Sequence, residues 1–175
     1  VLGKSSMDMV IIAVVYVMRV AVVVGNLLII LVWSKSPDVR DLLSPFIVAL
    51  AFADLLVGLS TLFLMICFNI SQINNDVEYP GLAGAALASQ ICASIATYAS
   101  ILGLILISVD RFVSVLHPLR YSSLLTTKVY ASAIAASWIA SAILALVTKD
   151  YLFGSKSSTS IATISLYFIL VTLLI

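Results

Sequence analysis

From Met9 to Trp33 the chain is almost wholly apolar and carries one charge, Arg19. A hydrocarbon core takes about 20 apolar residues per helical crossing, and that stretch is long enough. The pattern recurs at 43–70, broken only by Asp54, and at 81–116, uncharged until Asp110 and Arg111. Two further runs follow at 128–147 and 160–175. In lipid, a lone strand or coil leaves backbone N–H and C=O groups unpaired, so each run is expected to be an α-helix. The expected fold is therefore an all-α transmembrane bundle of spans at 9–33, 43–70, 81–116, 128–147 and 160–175, in one domain. Only 10% of the 175 residues are charged, against about a quarter in soluble domains. No separate soluble domain fits between the spans.

A net charge of +1 offers neither a basic patch for nucleic acid nor an acidic tail for a charged partner. Cys67 and Cys92 both lie inside apolar runs and read as small hydrophobes rather than a disulfide framework. The first residues, VLGKSSMDM, show no initiator Met and no cleavage site, and the sequence stops inside an apolar run. Both ends are expected to be truncations. No internal repeat is visible, which weighs against an inverted-repeat transporter.

Lys35 and Arg40 follow the first span, and Arg111, Arg120 and Lys128 cluster after the third, whereas Lys4, Lys149 and Lys156 fall on the opposite side. The positive-inside rule makes the first set cytoplasmic. The N-terminus is then extracellular, and the sequon Asn69-Ile70-Ser71 falls on the external side as a glycosylation candidate.

The residues that cost free energy in lipid carry the functional signal. Asp54 lies roughly 15 Å along its helix from the cytoplasmic start, where a carboxylate costs at least about 2.5 to 3.5 kcal/mol. It faces a polar interior, as a protonated carboxyl bonded to a neighbouring helix or as a site for a cation and water. Asn26, preceded by Gly25 that lets another helix approach, reads as an interhelical hydrogen-bonding residue. In the third span, steps that return to one helical face join Arg111 to Ile107, Leu104, Ser100, Thr97, Ala93 and Gln90. A helix with such a stripe belongs inside a bundle. The competing reading is that Thr97 and Ser100 bond back to their own preceding turn.

Asp110 and Arg111 close that span. Their juxtaposition suggests a latch, with the acid holding the guanidinium in one orientation, although a charged pair at a helix end also serves as an interfacial anchor. His117 and Pro118 then break the helix, and Leu119 is presented to a partner. Arg19 pairs with an external acid, lines an outer cavity or marks a tilted helix. Trp138, among small residues, reads as a packing residue.

Taken together, GNLLIILV, LAFADLL, SVDRFVSVLHPLRY and the lone Trp138 of the fourth span resemble the rhodopsin-like (class A) G-protein-coupled receptors, in order and at family spacing. The resemblance covers four helices and the start of a fifth. It implies a sodium and water site at Asp54 and Ser100, with Asn26 adjoining. It implies a ligand pocket whose floor and wall include Ala93, Ser94 and Thr97, with Gln90 above on the same stripe. It implies G-protein coupling through Asp110, Arg111 and Leu119, with Pro118 and Trp138 structural. The implied partners are an extracellular ligand, a heterotrimeric G protein, the bilayer and other receptor copies in homo- or hetero-oligomers, at the plasma membrane. No cofactor beyond a sodium ion is implied.

Several positions depart from the pattern. Phe112 replaces the usual Tyr. Ala86 stands where the outer Cys of the third helix belongs, and the loop 149–160 contains no Cys. The fifth run has no Pro. Ala93 stands where aminergic receptors carry an Asp, which disfavours a charged amine held by that salt bridge. These departures resemble the cluster of melanocortin, lysophospholipid, cannabinoid and adenosine receptors. Two other classes are weighed: a short, non-signalling form that associates with full-length receptors, and a channel or transporter using Asp54. Catalysis has no candidate residues, since His117 is the single histidine and no carboxylate pair, metal-ligand cluster or phosphate-binding Gly loop occurs.

Overall fold

The computed structural model of the chain describes residues 6–73, 80–118 and 120–154. Among these, all regular structure is helical: α1 (Ser6–Lys35), α2 (Pro37–Leu42), α3 (Pro45–Ile73), α4 (Pro80–Leu116), α5 (Tyr121–Leu124) and α6 (Thr127–Gly154). The span expected at 160–175 lies outside the described residues, as does Leu119. Four helices have the length and composition to cross a membrane, over Val10–Lys35, Pro45–Ile70, Gly81–Leu116 and Thr127–Thr148.

Proline punctuates these helices. The chain has four: Pro37, Pro45 and Pro80 open α2, α3 and α4, and Pro118 follows the end of α4. Proline is tolerated in a first helical turn, where its missing N–H has no intrahelical acceptor to serve. No proline interrupts a span, so α4 runs unbroken for 37 residues.

α4 packs against α3 on one side and α6 on the other, while α3 also packs against α1. Association in lipid relies on close packing and interhelical hydrogen bonds rather than water exclusion. The buried residues fit that requirement. Ala51, Ala53, Ala93, Ala96, Ala99 and Ala145 are small enough to let backbones approach, and Ser60, Thr61, Thr97, Ser100 and Ser141 are buried beside them. Most hydroxyls bond within their own helix, as Ser141 does to the Ser137 carbonyl and Thr61 to Val57.

The α1–α3 seam is held by a glycine, though not by Gly25. Nothing lies within 4 Å of where a Gly25 side chain would start, so the close approach expected there is absent among the described residues. The approach is made at Gly58 of α3. A Cβ there would sit 2.6 Å from the Val23 Cγ2 of α1, and the stiff β-branched valine has little freedom to yield. Towards the far end of the same seam, the Asn69 amide donates to the Tyr16 hydroxyl at 2.6 Å. Trp138 of α6 meets Phe52 of α3 with ring centroids 6.0 Å apart and planes tilted by 55°, the inclined geometry aromatic pairs prefer. None of the described side chains of α1 is buried, and Val10, Val17 and Leu28 present apolar surface outward, as expected of a helix bordered by lipid.

Candidate functional site

Two buried carboxylates meet α4, Asp54 of α3 at its middle and its own Asp110 at the charged end. Asp54 is 6% exposed and Ser100 only 1%. The Ser100 hydroxyl donates to the Asp54 Oδ1 at 2.6 Å. A serine in mid-helix ordinarily satisfies itself on the preceding turn. Here it crosses to α3 instead, joining residues 46 apart in sequence. Small buried neighbours, Ala51 and Ala53 on α3 and Ala96 and Ala99 on α4, let the two backbones come close enough for so short a side chain to reach.

The rest of the polar stripe behaves differently. Ala93 and Thr97 are buried and Gln90 and Ser94 half-buried. The Thr97 hydroxyl donates to the Ala93 carbonyl at 2.8 Å, and that of Ser94 to Gln90 at 2.9 Å. The stripe therefore faces the bundle, yet these hydroxyls are committed to their own helix. Asn26 is not drawn into the Asp54–Ser100 contact. Its amide donates to the Val22 carbonyl of α1 at 3.0 Å, so the interhelical bond expected from it is made by Asn69. That bond engages the amide nitrogen of the sequon, within the last turns of the α3 span.

At the charged end, Asp110 is 1% exposed. The Arg111 Nε lies 3.7 Å from its Oδ2, and the arginine side chain is 56% exposed. That separation is an ion pair without a hydrogen bond, and Oδ2 is a buried oxygen with no hydrogen-bond partner. The other oxygen is heavily used. The hydroxyls of Tyr121 on α5 and Tyr130 on α6 each stand 2.9 Å from Asp110 Oδ1, and 2.9 Å from one another. Tyr130 also stacks obliquely on Phe46 in the first turn of α3, with centroids 4.8 Å apart. The carboxylate thus ties α4 to the short helix beyond Pro118 and to the start of α6.

Sequence reasoning missed both tyrosines. Tyrosine near a membrane face is common as an interfacial anchor, and neither carries a distinguishing pattern. The one available signal was the acid itself, since a carboxylate at a helix end must find donors if it is buried.

No group of three or more His, Cys, Asp and Glu side chains converges among the described residues. Asp54 and Ser100 offer three side-chain oxygen atoms, a donor set suited to a hard cation and not to a transition metal.

Comparisons with known proteins show the family. Residues 25–169 match the family described as 7 transmembrane receptor (rhodopsin family). The chain is 28% identical over 152 residues to melanocortin receptor 3 of Rattus norvegicus, across 85% of this chain and 46% of that protein. It is 31% identical over 160 residues to the histamine H2 receptor of Homo sapiens, across 91% of this chain and 43% of that one. It is 36% identical over 129 residues to the octopamine receptor Oamb of Drosophila melanogaster, across 74% and 19%. The chain spans less than half the length of each of these relatives. Their names point to different ligands and select none for this chain.

Proposed function

The chain belongs to the rhodopsin family of seven-transmembrane receptors, and on that premise we propose that it is part of a receptor passing an extracellular ligand signal to a heterotrimeric G protein. The supporting observation is that one helix, α4, carries both the Asp54–Ser100 contact in mid-span and the Asp110–Arg111 pair at its charged end. A shift of α4 is thereby linked to both. The charged end, with Arg40, Arg111, Arg120 and Lys128, is the cytoplasmic one by the positive-inside rule, and the N-terminus is extracellular at the plasma membrane.

In this reading the resting state keeps Arg111 beside Asp110. An external ligand favours the state in which the guanidinium leaves, and the energy available is the ligand's differential affinity for the two states. Ala93, Ser94, Thr97 and Gln90 line the approach from outside. Ala93 supplies no charge, so the ligand is not held there by an ionic bond. Asp54 and Ser100 would hold a sodium ion, whose charge offsets the cost of a carboxylate in the bundle.

The test is charge reversal at Arg111 in the intact polypeptide carrying this sequence, expressed in cell membranes with a panel of purified G-protein heterotrimers. Arg111→Glu is expected to reduce catalysed guanine-nucleotide exchange at least about tenfold, a change of about 1.4 kcal/mol, while surface expression stays near wild type. Unchanged exchange at equal expression would reject the role given to Arg111.

A further inference from the structure

The Asp110 carboxylate is shared unequally. One oxygen receives two tyrosine hydroxyls at 2.9 Å, and the other, buried and without a hydrogen bond, faces Arg111 at 3.7 Å. The three contacts among Tyr121, Tyr130 and Oδ1 have only two hydroxyl protons between them. One contact is therefore always without a proton, whichever way the hydroxyls rotate. The hydroxyl cluster is over-supplied with acceptors and the guanidinium under-engaged, although a carboxylate and an arginine can form much shorter paired bonds.

We infer that Tyr130 is a positioning residue that slackens the Asp110–Arg111 pair: its hydroxyl takes up part of the carboxylate's charge and leaves Arg111 poised at the edge of the acid's reach. The inference rests on the receptor reading for its functional consequence, but not for its geometry. Tyr130 is well placed for the task because it belongs to a different helix from the pair it affects. Its ring is seated on Phe46 of α3, so its hydroxyl reports to Asp110 how α3 and α6 stand relative to the end of α4. When that seat shifts, Oδ1 loses a donor and the buried charge draws harder on the guanidinium. Arg111 then closes on Oδ2 and is withheld from a cytoplasmic partner. Tyr121 shares the oxygen but rides on the short α5, so it couples the loop rather than the bundle.

The variant is Tyr130→Phe, which keeps the ring on Phe46 and removes the hydroxyl alone. Two readouts are taken on the intact polypeptide. The first is thermal melting in detergent micelles for wild type, Tyr130→Phe, Arg111→Leu and the double variant. Because Arg111 compensates for the lost hydroxyl, Tyr130→Phe is expected to lower the melting temperature clearly more in the Arg111→Leu background than in wild type. Additive shifts would show that the two groups do not compete for the acid, and the inference falls. The second readout is basal nucleotide exchange at matched surface expression. Tyr130→Phe is expected to lower it by roughly threefold, in keeping with a modest shift in a partly exposed ion pair, and to do nothing once Asp110→Asn has removed the charge. Exchange that rises, or stays level while Arg111→Leu alters it, overturns the slackening role. If no variant, wild type included, promotes exchange but the melting shifts are coupled, the proposed function fails and the positioning of Asp110 by Tyr130 stands.

Discussion

Asp54 on α3 and Asp110 on α4 are both buried carboxylates, and they are stabilised in opposite ways. Asp54 takes one short bond, 2.6 Å, from a serine on another helix. Asp110 takes two longer ones, each 2.9 Å, from tyrosines, together with an arginine 3.7 Å away. The mid-span acid takes its one described hydrogen bond from Ser100. The acid at the charged end has redundant donors from two elements and a cation besides. The first arrangement has little freedom to adjust, because a short serine side chain must reach across from one helix to the other. The second is adjustable, since donors can be exchanged without leaving the charge bare. The proposed receptor function uses both: a fixed joint in the bundle and an end that can let go.

The sharpest break in that contrast comes from removing the single donor. Ser100→Ala leaves a buried carboxylate oxygen without its hydrogen bond, and the expected loss is about 1.5 to 3 kcal/mol, read as a lowered melting temperature in micelles. Adding Asp54→Leu should recover most of it, because removing both partners avoids the unsatisfied group. A Ser100→Ala protein as stable as wild type would mean that Asp54 is not dependent on this bond, and the mid-span joint would lose its meaning.

How much of this was readable beforehand depends on sequence separation and on background. The helices were legible because long apolar runs have one structural solution in lipid, and Asp54 and Ser100 stood out as polar groups in an apolar setting. The helical-face argument placed Ser100 on the buried stripe, whereas its pairing with Asp54 was implied only by the family resemblance. The same argument did not separate Ser100 from Thr97, whose hydroxyl turns back to Ala93. Which serine or threonine crosses to a neighbour is decided by how near that neighbour's acceptor comes, and one helix's periodicity holds no such distance. Gly25 misled for a related reason. A glycine permits close approach without requiring it, and the helix that does come close meets Gly58 instead. The Tyr121 and Tyr130 pair was hidden by its background, since aromatic residues at a membrane face are ordinary.

Redundancy at the charged end predicts a smaller penalty there. Tyr121→Phe removes one of two hydroxyls from Asp110 Oδ1 while Tyr130 remains, so the expected cost is about 0.5 to 1.5 kcal/mol, below that of Ser100→Ala. The Tyr121→Phe/Tyr130→Phe double variant should cost more than the two single changes added together, because only the second loss strips the oxygen of its donors. If Tyr121→Phe alone matched Ser100→Ala in the same melting assay, the charged end would be as singly dependent as the mid-span joint, and the contrast would collapse.

The finest distinction concerns ions. A sodium ion held by Asp54 and Ser100 stabilises the folded state by mass action, about 0.4 kcal/mol when its concentration equals the dissociation constant. Melting in sodium chloride should therefore exceed melting in potassium chloride at equal ionic strength by a small margin. Asp54→Asn should erase that margin, because the neutral amide offers the ion no charge. Tyr121→Phe and Tyr130→Phe should preserve it, because the charged-end acid lies elsewhere along α4 and is occupied by hydroxyls. A sodium effect that survived Asp54→Asn but vanished with the tyrosines would place the ion at Asp110, and the roles assigned to the two carboxylates would have to be exchanged.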